Sequence, residues 1–222
     1  MTYRTVPVKG MRATIGERMT ASLRDMAQVT LEIDVDAGPL LELTAKAAGR
    51  DVGVDDVLIR AVALTLVEHP RLNGFLIGSE IRLYDVINVG FAVALDEGLV
   101  VPTIFSADTK DLSTIHAERL AAVERARKGA LTIEEVTSAT FSMTNLGRYR
   151  VDHFTPVVNP PQIAILGVGR IREIPAVKDG GIYVRSVVNL SLTCDHRYVD
   201  GGPAARFVST LTQLIEEASG IV

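Results

Sequence analysis

Residues 29–36 alternate without a break. Val29, Leu31, Ile33 and Val35 are apolar, and Thr30, Glu32, Asp34 and Asp36 are polar. A strict period of two marks a β-strand with one dry face and one wet face. The segment before it has the other period: within residues 12–26, Ile15, Met19, Leu23 and Met26 recur on one side of an amphipathic helix. The rest of the chain keeps switching. Pro39 opens a helix that runs to about Ala48 and is closed by Gly49. Asp55 or Asp56 caps another through Leu58, Ala61, Leu64 and Leu66, until Pro70 stops it. Phe75–Ile77 and Glu80–Tyr84 flank the hairpin turn Gly78-Ser79, and strands Val86–Leu95 and Val100–Phe105 are parted by Asp96-Glu97-Gly98. Ser113 reads as the N-cap of a helix with Ile115, Leu120 and Val123 on its dry side and Gly129 at its end. Thr132 and Glu135 form a capping box for a shorter helix. Strands at Ala139–Asn145, Ile163–Ile171 and Ile182–Cys194 precede a last helix from about Pro203, carrying Phe207, Val208, Leu211, Leu214 and Ile215.

This order is not a regular β-α-β-α alternation, which disfavours a doubly wound parallel sheet. The expected class is α/β of the α+β kind: a mixed central β-sheet with packed helices, forming one domain over residues 1–222. Hydrophobic residues make up 47% of the chain and aromatics only 5%, with a mean hydropathy of +0.25. No apolar stretch approaches the roughly 18 residues of a membrane-spanning helix, so the aliphatic surplus must be buried in a core or between subunits. Net charge is −4, without the like-charge block of a nucleic-acid surface. The single cysteine, Cys194, excludes a disulfide framework, and no pair of histidines has metal-ligand spacing. Residues 1–9 have no apolar signal core, and a reducing, cytoplasmic compartment is expected.

The chemistry-bearing segment is Cys194-Asp195-His196-Arg197-Tyr198-Val199-Asp200-Gly201-Gly202. A histidine leaving a strand end can present a general base to a cleft. Asp200, at the foot of the last helix, is favoured by the helix N-terminus. The competing reading is a lone histidine followed by a capping aspartate. Cys194 and His196, two apart on a strand, would share a face and could form a thiolate and its base. The alternative for Cys194 is an inert place in the inward row Val184, Val188, Leu190 and Leu192. Phe141-Ser142-Met143-Thr144-Asn145-Leu146-Gly147 puts two hydroxyls and an amide into an apolar strand before a glycine, where a hydroxyl could donate to an oxyanion. His69, at a helix end, His116, in a charged helix, and His153, beside Asp152, carry less weight.

Taken together, His196-x-x-x-Asp200-Gly201 and Thr144-Asn145-Leu146-Gly147 resemble the catalytic domain of the dihydrolipoamide acyltransferases, the core of the 2-oxo-acid dehydrogenase complexes. Gly10-Met11-Arg12 through Glu17-Arg18-Met19, Asp96-Glu97-Gly98-Leu99-Val100-Val101-Pro102 and Phe154-Thr155-Pro156-Val157-Val158-Asn159-Pro160-Pro161 are similar to further segments of that family, in the same order. Chloramphenicol acetyltransferase shares the wider superfamily. The resemblance implies a coenzyme-A-dependent acyltransferase fold and a trimer, within larger cages in many members. Its active sites lie between subunits, with His196 of one chain facing Thr144 of the next. By position it makes His196 the base, Thr144 the oxyanion donor and Asp200 a supporting group.

The implied reaction moves an acyl group between a dihydrolipoyl thiol and coenzyme A, without a metal. The expected partners are a lipoyl domain and the decarboxylase and dihydrolipoyl dehydrogenase components. Gln28 departs from the histidine many members carry there, and the lipoyl domain with its Asp-Lys-Ala site and the subunit-binding domain have no counterpart in this sequence. That leaves a catalytic domain detached from these, or a stand-alone enzyme using acyl groups carried on another protein. Acetylation of a small molecule's hydroxyl or amine, and a trimeric scaffold without activity, are the other readings. A buried Asp200 would need a cation, for which Arg18 and Arg12 are candidates.

Overall fold

The structure, a computed structural model, describes residues 1–46, 52–95, 98–218 and 220–221. The expected helix end at Ala48-Gly49 and the pair Asp96-Glu97 lie outside the described residues. In chain order the helices are α1 (Met11–Asp25), α2 (Gly38–Lys46), α3 (Val54–Glu68), α4 (Leu112–Arg127), α5 (Ile133–Thr137) and α6 (Gly201–Glu217). The strands are β1 (Gln28–Asp36), β2 (Gly74–Ile77), β3 (Glu80–Leu83), β4 (Val89–Phe91), β5 (Val93–Leu95), β6 (Gly98–Val100), β7 (Thr103–Ile104), β8 (Phe141–Asn145), β9 (Ala164–Lys178) and β10 (Gly181–Asp195). Among the described residues, six of these strands form one mixed sheet in the order β1-β10-β9-β8-β4-β7. β8 runs parallel to both β4 and β9, and the remaining pairs are antiparallel. The mixed sheet with helices is the class the sequence implies.

Local chemistry shifts several element ends. Gly53, not Asp55 or Asp56, is the N-cap of α3; Asp56 sits in the first turn and accepts the Gly53 N–H at 2.7 Å. Asp111, not Ser113, caps α4, accepting the Thr114 N–H at 2.8 Å. The Thr132–Glu135 capping box forms as expected. The anticipated strand from Val86 to Leu95 is two short strands, because at Ala92 the chain turns its N–H to Met143 O at 2.9 Å. The one from Val100 to Phe105 is likewise divided, at Val101-Pro102, where proline has no N–H for a ladder. The last helix begins at Gly201, before Pro203.

One face of the sheet holds the apolar core. Val188, Leu190, Leu192 and Cys194 of β10 are buried there, under α6 with its buried Ala204, Phe207, Val208, Leu211 and Ile215. α3 is wedged between α6, α4, α2 and β4, which explains why it is apolar almost all round. The other face is polar: Asn189, Ser191, Thr193 and Asp195 are buried on it. The connection between β8 and β9 crosses this second face. It passes so close that a Cβ at Gly169 would collide with Asp152 O, and one at Gly167 would meet Phe154 Cζ at 3.0 Å. Only bare backbone fits beneath it. α1 is tied to the same connection: Ser22 Oγ donates to Val158 O at 2.6 Å, and Gln28 both donates to Ser22 Oγ at 2.9 Å and accepts the Val158 N–H at 3.2 Å. Gln28 is therefore a tether between α1, β1 and the connection.

β9 and β10 outrun their neighbours. β1 pairs β10 only as far as Asp36↔Val187, yet β9 and β10 stay paired to Lys178↔Gly181. The result is a two-stranded arm with Val177, Ile182 and Val184 at 76%, 81% and 68% exposure. Val184 is thus outside the inward row that Val188, Leu190, Leu192 and Cys194 make.

Candidate active site

β10 ends at Asp195, and the backbone there is fastened. The His196 N–H donates to Ala27 O at 2.8 Å, and the Tyr198 and Val199 N–H groups both return to Asp195 O at 3.0 Å. The buried Asp195 carboxylate accepts the Arg197 N–H at 3.1 Å and its guanidinium at 2.5 Å. This turn thrusts His196 out of the sheet. Its side chain is 48% exposed and its Nδ1 lies 3.9 Å from Asp200 Oδ1, itself 75% exposed. Asp200 is the N-cap residue of α6, and its carboxylate makes no capping hydrogen bond. It is not buried in its own chain, and Arg18, proposed as its cation, instead donates to Pro160 O at 2.6 Å.

Cys194 is fully buried, with Sγ 3.8 Å from Val199 O. Burial, followed by the Asp195 charge, pushes its thiol up to about 11. A thiolate is scarce there near neutral pH, so the residue belongs to the core and not to a Cys–His nucleophile.

Thr144 lies near the end of β8, on the sheet's second face. It is in register with Gly167 of β9, which is in register with Ser191 of β10. Asn145 holds this strand end: its Nδ2 donates to Asp55 Oδ1 at 2.6 Å and its Oδ1 accepts the Gly147 N–H at 2.8 Å. Two cavities meet at Thr144. One, of about 500 Å³, lies between α1, β8 and the β8–β9 connection and is lined by Ile15, Met19, Ser142, Phe154, Val157 and Ile165 among others. The second, of about 320 Å³, carries Asp55, Arg119, Arg127 and Arg148. Thr144, Ala92 and Leu99 belong to the walls of both. His196 borders neither. Counting along β10 from Ser191 at about 3.4 Å per residue, and two strands across at about 4.8 Å each, puts Thr144 and His196 on the order of 15–20 Å apart in one chain.

The remaining histidines are engaged. His116 Nδ1 lies 2.8 Å from the buried Asp56 carboxylate, which Arg119 also holds at 2.5 Å. His69 Nε2 meets Thr210 Oγ1 at 2.8 Å, and His153 Nδ1 is 3.9 Å from Glu32. Among the described residues no group of three or more His, Cys, Asp or Glu is placed to hold a metal ion, and no helix is long and apolar enough to cross a membrane. The tie of Asn145 to Asp55 and the cavity walls escape a reading of the sequence, because they join segments far apart in the chain. Only the Ser142/Thr144 alternation on one strand hints at them.

Residues 1–222 match the family model for the 2-oxoacid dehydrogenases acyltransferase (catalytic domain). The dihydrolipoyllysine-residue acetyltransferase component of the acetoin cleaving system of Bacillus subtilis is 36% identical, over 98% of this chain and 56% of that protein. The dihydrolipoyllysine-residue succinyltransferase component of the Azotobacter vinelandii 2-oxoglutarate dehydrogenase complex is 33% identical, over 98% and 56%. The chain spans about half the length of the curated relatives it matches. Among solved structures, the dihydrolipoamide acetyltransferase of Azotobacter vinelandii superposes with a TM-score of 0.94 at 30% identity, over 99% of this chain and 94% of that one. A serine, a histidine and an asparagine of that enzyme have been investigated for their role in catalysis. The truncated catalytic core of the 2-oxoacid dehydrogenase multienzyme complex of Thermoplasma acidophilum gives 0.89 at 35% identity, over 98% and 100%. Chloramphenicol acetyltransferase, at 16% identity and a TM-score of 0.54 over 90% of this chain and 92% of that one, shares the fold.

Proposed function

The chain belongs to the acyltransferase catalytic-domain family of the 2-oxoacid dehydrogenases, and from that premise we propose that it moves an acyl group between a dihydrolipoyl thiol and coenzyme A. The observation that carries the reading is the separation within one subunit. Thr144 lies in the wall of two cavities, whereas His196 stands exposed at the far end of the sheet, beyond reach of it. Neither can act on the other's substrate alone, so the working site pairs His196 of one copy with Thr144 of a second. A trimer closes such head-to-tail contacts into a ring.

The chemistry then follows from the groups. The imidazole of His196 takes the proton of the attacking thiol, and Asp200 beside Nδ1 steadies the imidazolium that results. The thiolate adds to the thioester carbonyl, and the Thr144 hydroxyl donates to the oxyanion that forms. On collapse the second thiol leaves and recovers the proton from His196. Both thioesters are of the same kind, so little energy separates the two sides, and no enzyme-bound acyl group is required. The buried Cys194 has no task in this scheme. The serine, histidine and asparagine studied in the Azotobacter enzyme are of the same chemical types as Thr144, His196 and an amide counterpart of Asp200. The acyl carrier would be a lipoyl group on a separate domain or protein. The reading further includes the decarboxylase and dihydrolipoyl dehydrogenase components as partners, a larger cage as the assembled form, and the cytoplasm as its place.

Mixing tests it. His196→Ala and Thr144→Ala chains, each inactive alone, should regain about one quarter of wild-type transfer when unfolded and reassembled together at equal ratio, since a quarter of interfaces then pair an intact His196 with an intact Thr144. No recovery from assembled mixtures, or a monomer by light scattering that still transfers acyl groups, would sink the proposal.

A further inference from the structure

Resting on that reading, we propose that the larger cavity selects the acyl group, accepting a small uncharged aliphatic acyl chain and rejecting a dicarboxylic one such as succinyl. Three observations carry this. The cavity opens directly beside Thr144, where the thioester carbonyl must lie for that hydroxyl to reach it. Its walls are Ile15, Met19, Val101, Phe154, Val157 and Ile165, relieved by hydroxyls and an amide. The single charged side chain lining it, among the described residues, is Arg18, whose guanidinium already donates to Pro160 O at 2.6 Å.

A distal carboxylate placed in this space would give up its water along apolar walls, and the one cation within reach, the exposed Arg18 that shares an N–H with Pro160 O, offers only a solvent-screened pair in return. A branched aliphatic chain would instead exchange water for hydrocarbon, which is favourable. The cavity also holds an unanswered polar group. Ser142, two residues before Thr144 on the same face of β8, is buried to 1% exposure, and its Oγ has no hydrogen-bond partner among the described residues. A buried hydroxyl left without a partner is ordinarily a liability. Its residue belongs to the cavity wall, with the oxygen enclosed beside Gly90, so the wall next to Thr144 carries a donor but no charge.

Turnover with dihydrolipoamide should be compared across acetyl-, isobutyryl- and succinyl-CoA. In parallel, thermal shifts should be measured with S-isobutyryl- and S-succinyl-dihydrolipoamide. The expected result is a kcat/KM for succinyl-CoA at least tenfold below the other two, and a rise in Tm with the isobutyryl compound only. Val136→Trp, at an exposed position on the cavity wall, should cost isobutyryl transfer more than acetyl transfer. Succinyl handled as well as isobutyryl in both measurements, or a Val136→Trp variant that loses both donors equally, overturns the inference. If no donor is turned over while the thermal-shift preference persists, the transfer reading falls and the selectivity of the cavity stands.

Discussion

Of the histidines that stand beside a carboxylate, His116 and His196 have opposite surroundings. His116 is nearly enclosed, with Nδ1 2.8 Å from an Asp56 carboxylate that is fully buried and also held by Arg119 at 2.5 Å and by the Gly53 N–H at 2.7 Å. Every strong partner that Asp56 needs comes from its own chain. His196 and Asp200 are exposed, 3.9 Å apart, and Asp200 makes no capping bond even though it sits at a helix N-terminus. The first pair is complete and so structural. The second is loose and exposed within one subunit, as the proposed site shared between subunits requires. A histidine–aspartate pair is thus a poor guide to function until its remaining contacts are counted.

The largest effect is expected at His196. His196→Ala should lower acyl transfer by about 10²–10⁴-fold, the usual contribution of a general base, while leaving the melting temperature close to wild type because the side chain packs against little. Asp56→Ala should do the reverse. Removing one partner of a buried ion pair costs about 3–5 kcal/mol, visible as a lower urea midpoint, with transfer per folded molecule retained. Thr144→Ala should lower kcat by about 10²–10³-fold, as loss of an oxyanion donor does, without the stability loss of the Asp56 variant.

A pH titration of stability separates the pairs again. Burial raises the Asp56 pKa, but Arg119, the Gly53 N–H and His116 together outweigh it and hold the carboxyl below its ordinary 3.8. A carboxyl with a lowered folded-state pKa contributes stability that is fully present above 3.8 and is lost as pH falls from there through the folded value. Wild type should therefore show a steeper acid limb than Asp56→Asn, and His196→Ala should match wild type in that range. The smallest effect belongs to Cys194→Ser, which should retain most of the transfer; near-complete loss in a folded protein would put the thiol back into the mechanism.

Much of the fold is legible in local chemistry. The Thr132–Glu135 box, the Gly78-Ser79 turn and the alternation of residues 29–36 each depend on neighbours within a few positions, and each forms as its residues dictate. Caps are harder: Asp111 and Ser113 are both good N-cap types, and which one caps depends on the direction from which the chain enters α4. The end of β9 is hidden by Pro175, which reads as a strand breaker. It is tolerated because, among the described residues, β9 beyond Val168 pairs with no strand on its β8 side. The candidate site divides the same way. His196, Asp200 and Thr144 are visible as motifs, and the lone cysteine's inertness follows from its apolar row. The bond from Asn145 to Asp55 spans ninety residues of chain, and the two cavities exist only because β8 pairs in parallel with strands before and after it. No periodicity encodes such pairings.

The arm of β9 and β10 carries a consequence for handling the protein. Its Val177, Ile182 and Val184 stand exposed among the described residues, so if a second copy shields them it binds the folded state and not the unfolded one. Mass action then makes melting a function of protein concentration. A dilution series should lower the Tm step by step, and a charge placed at Ile182 should flatten that dependence.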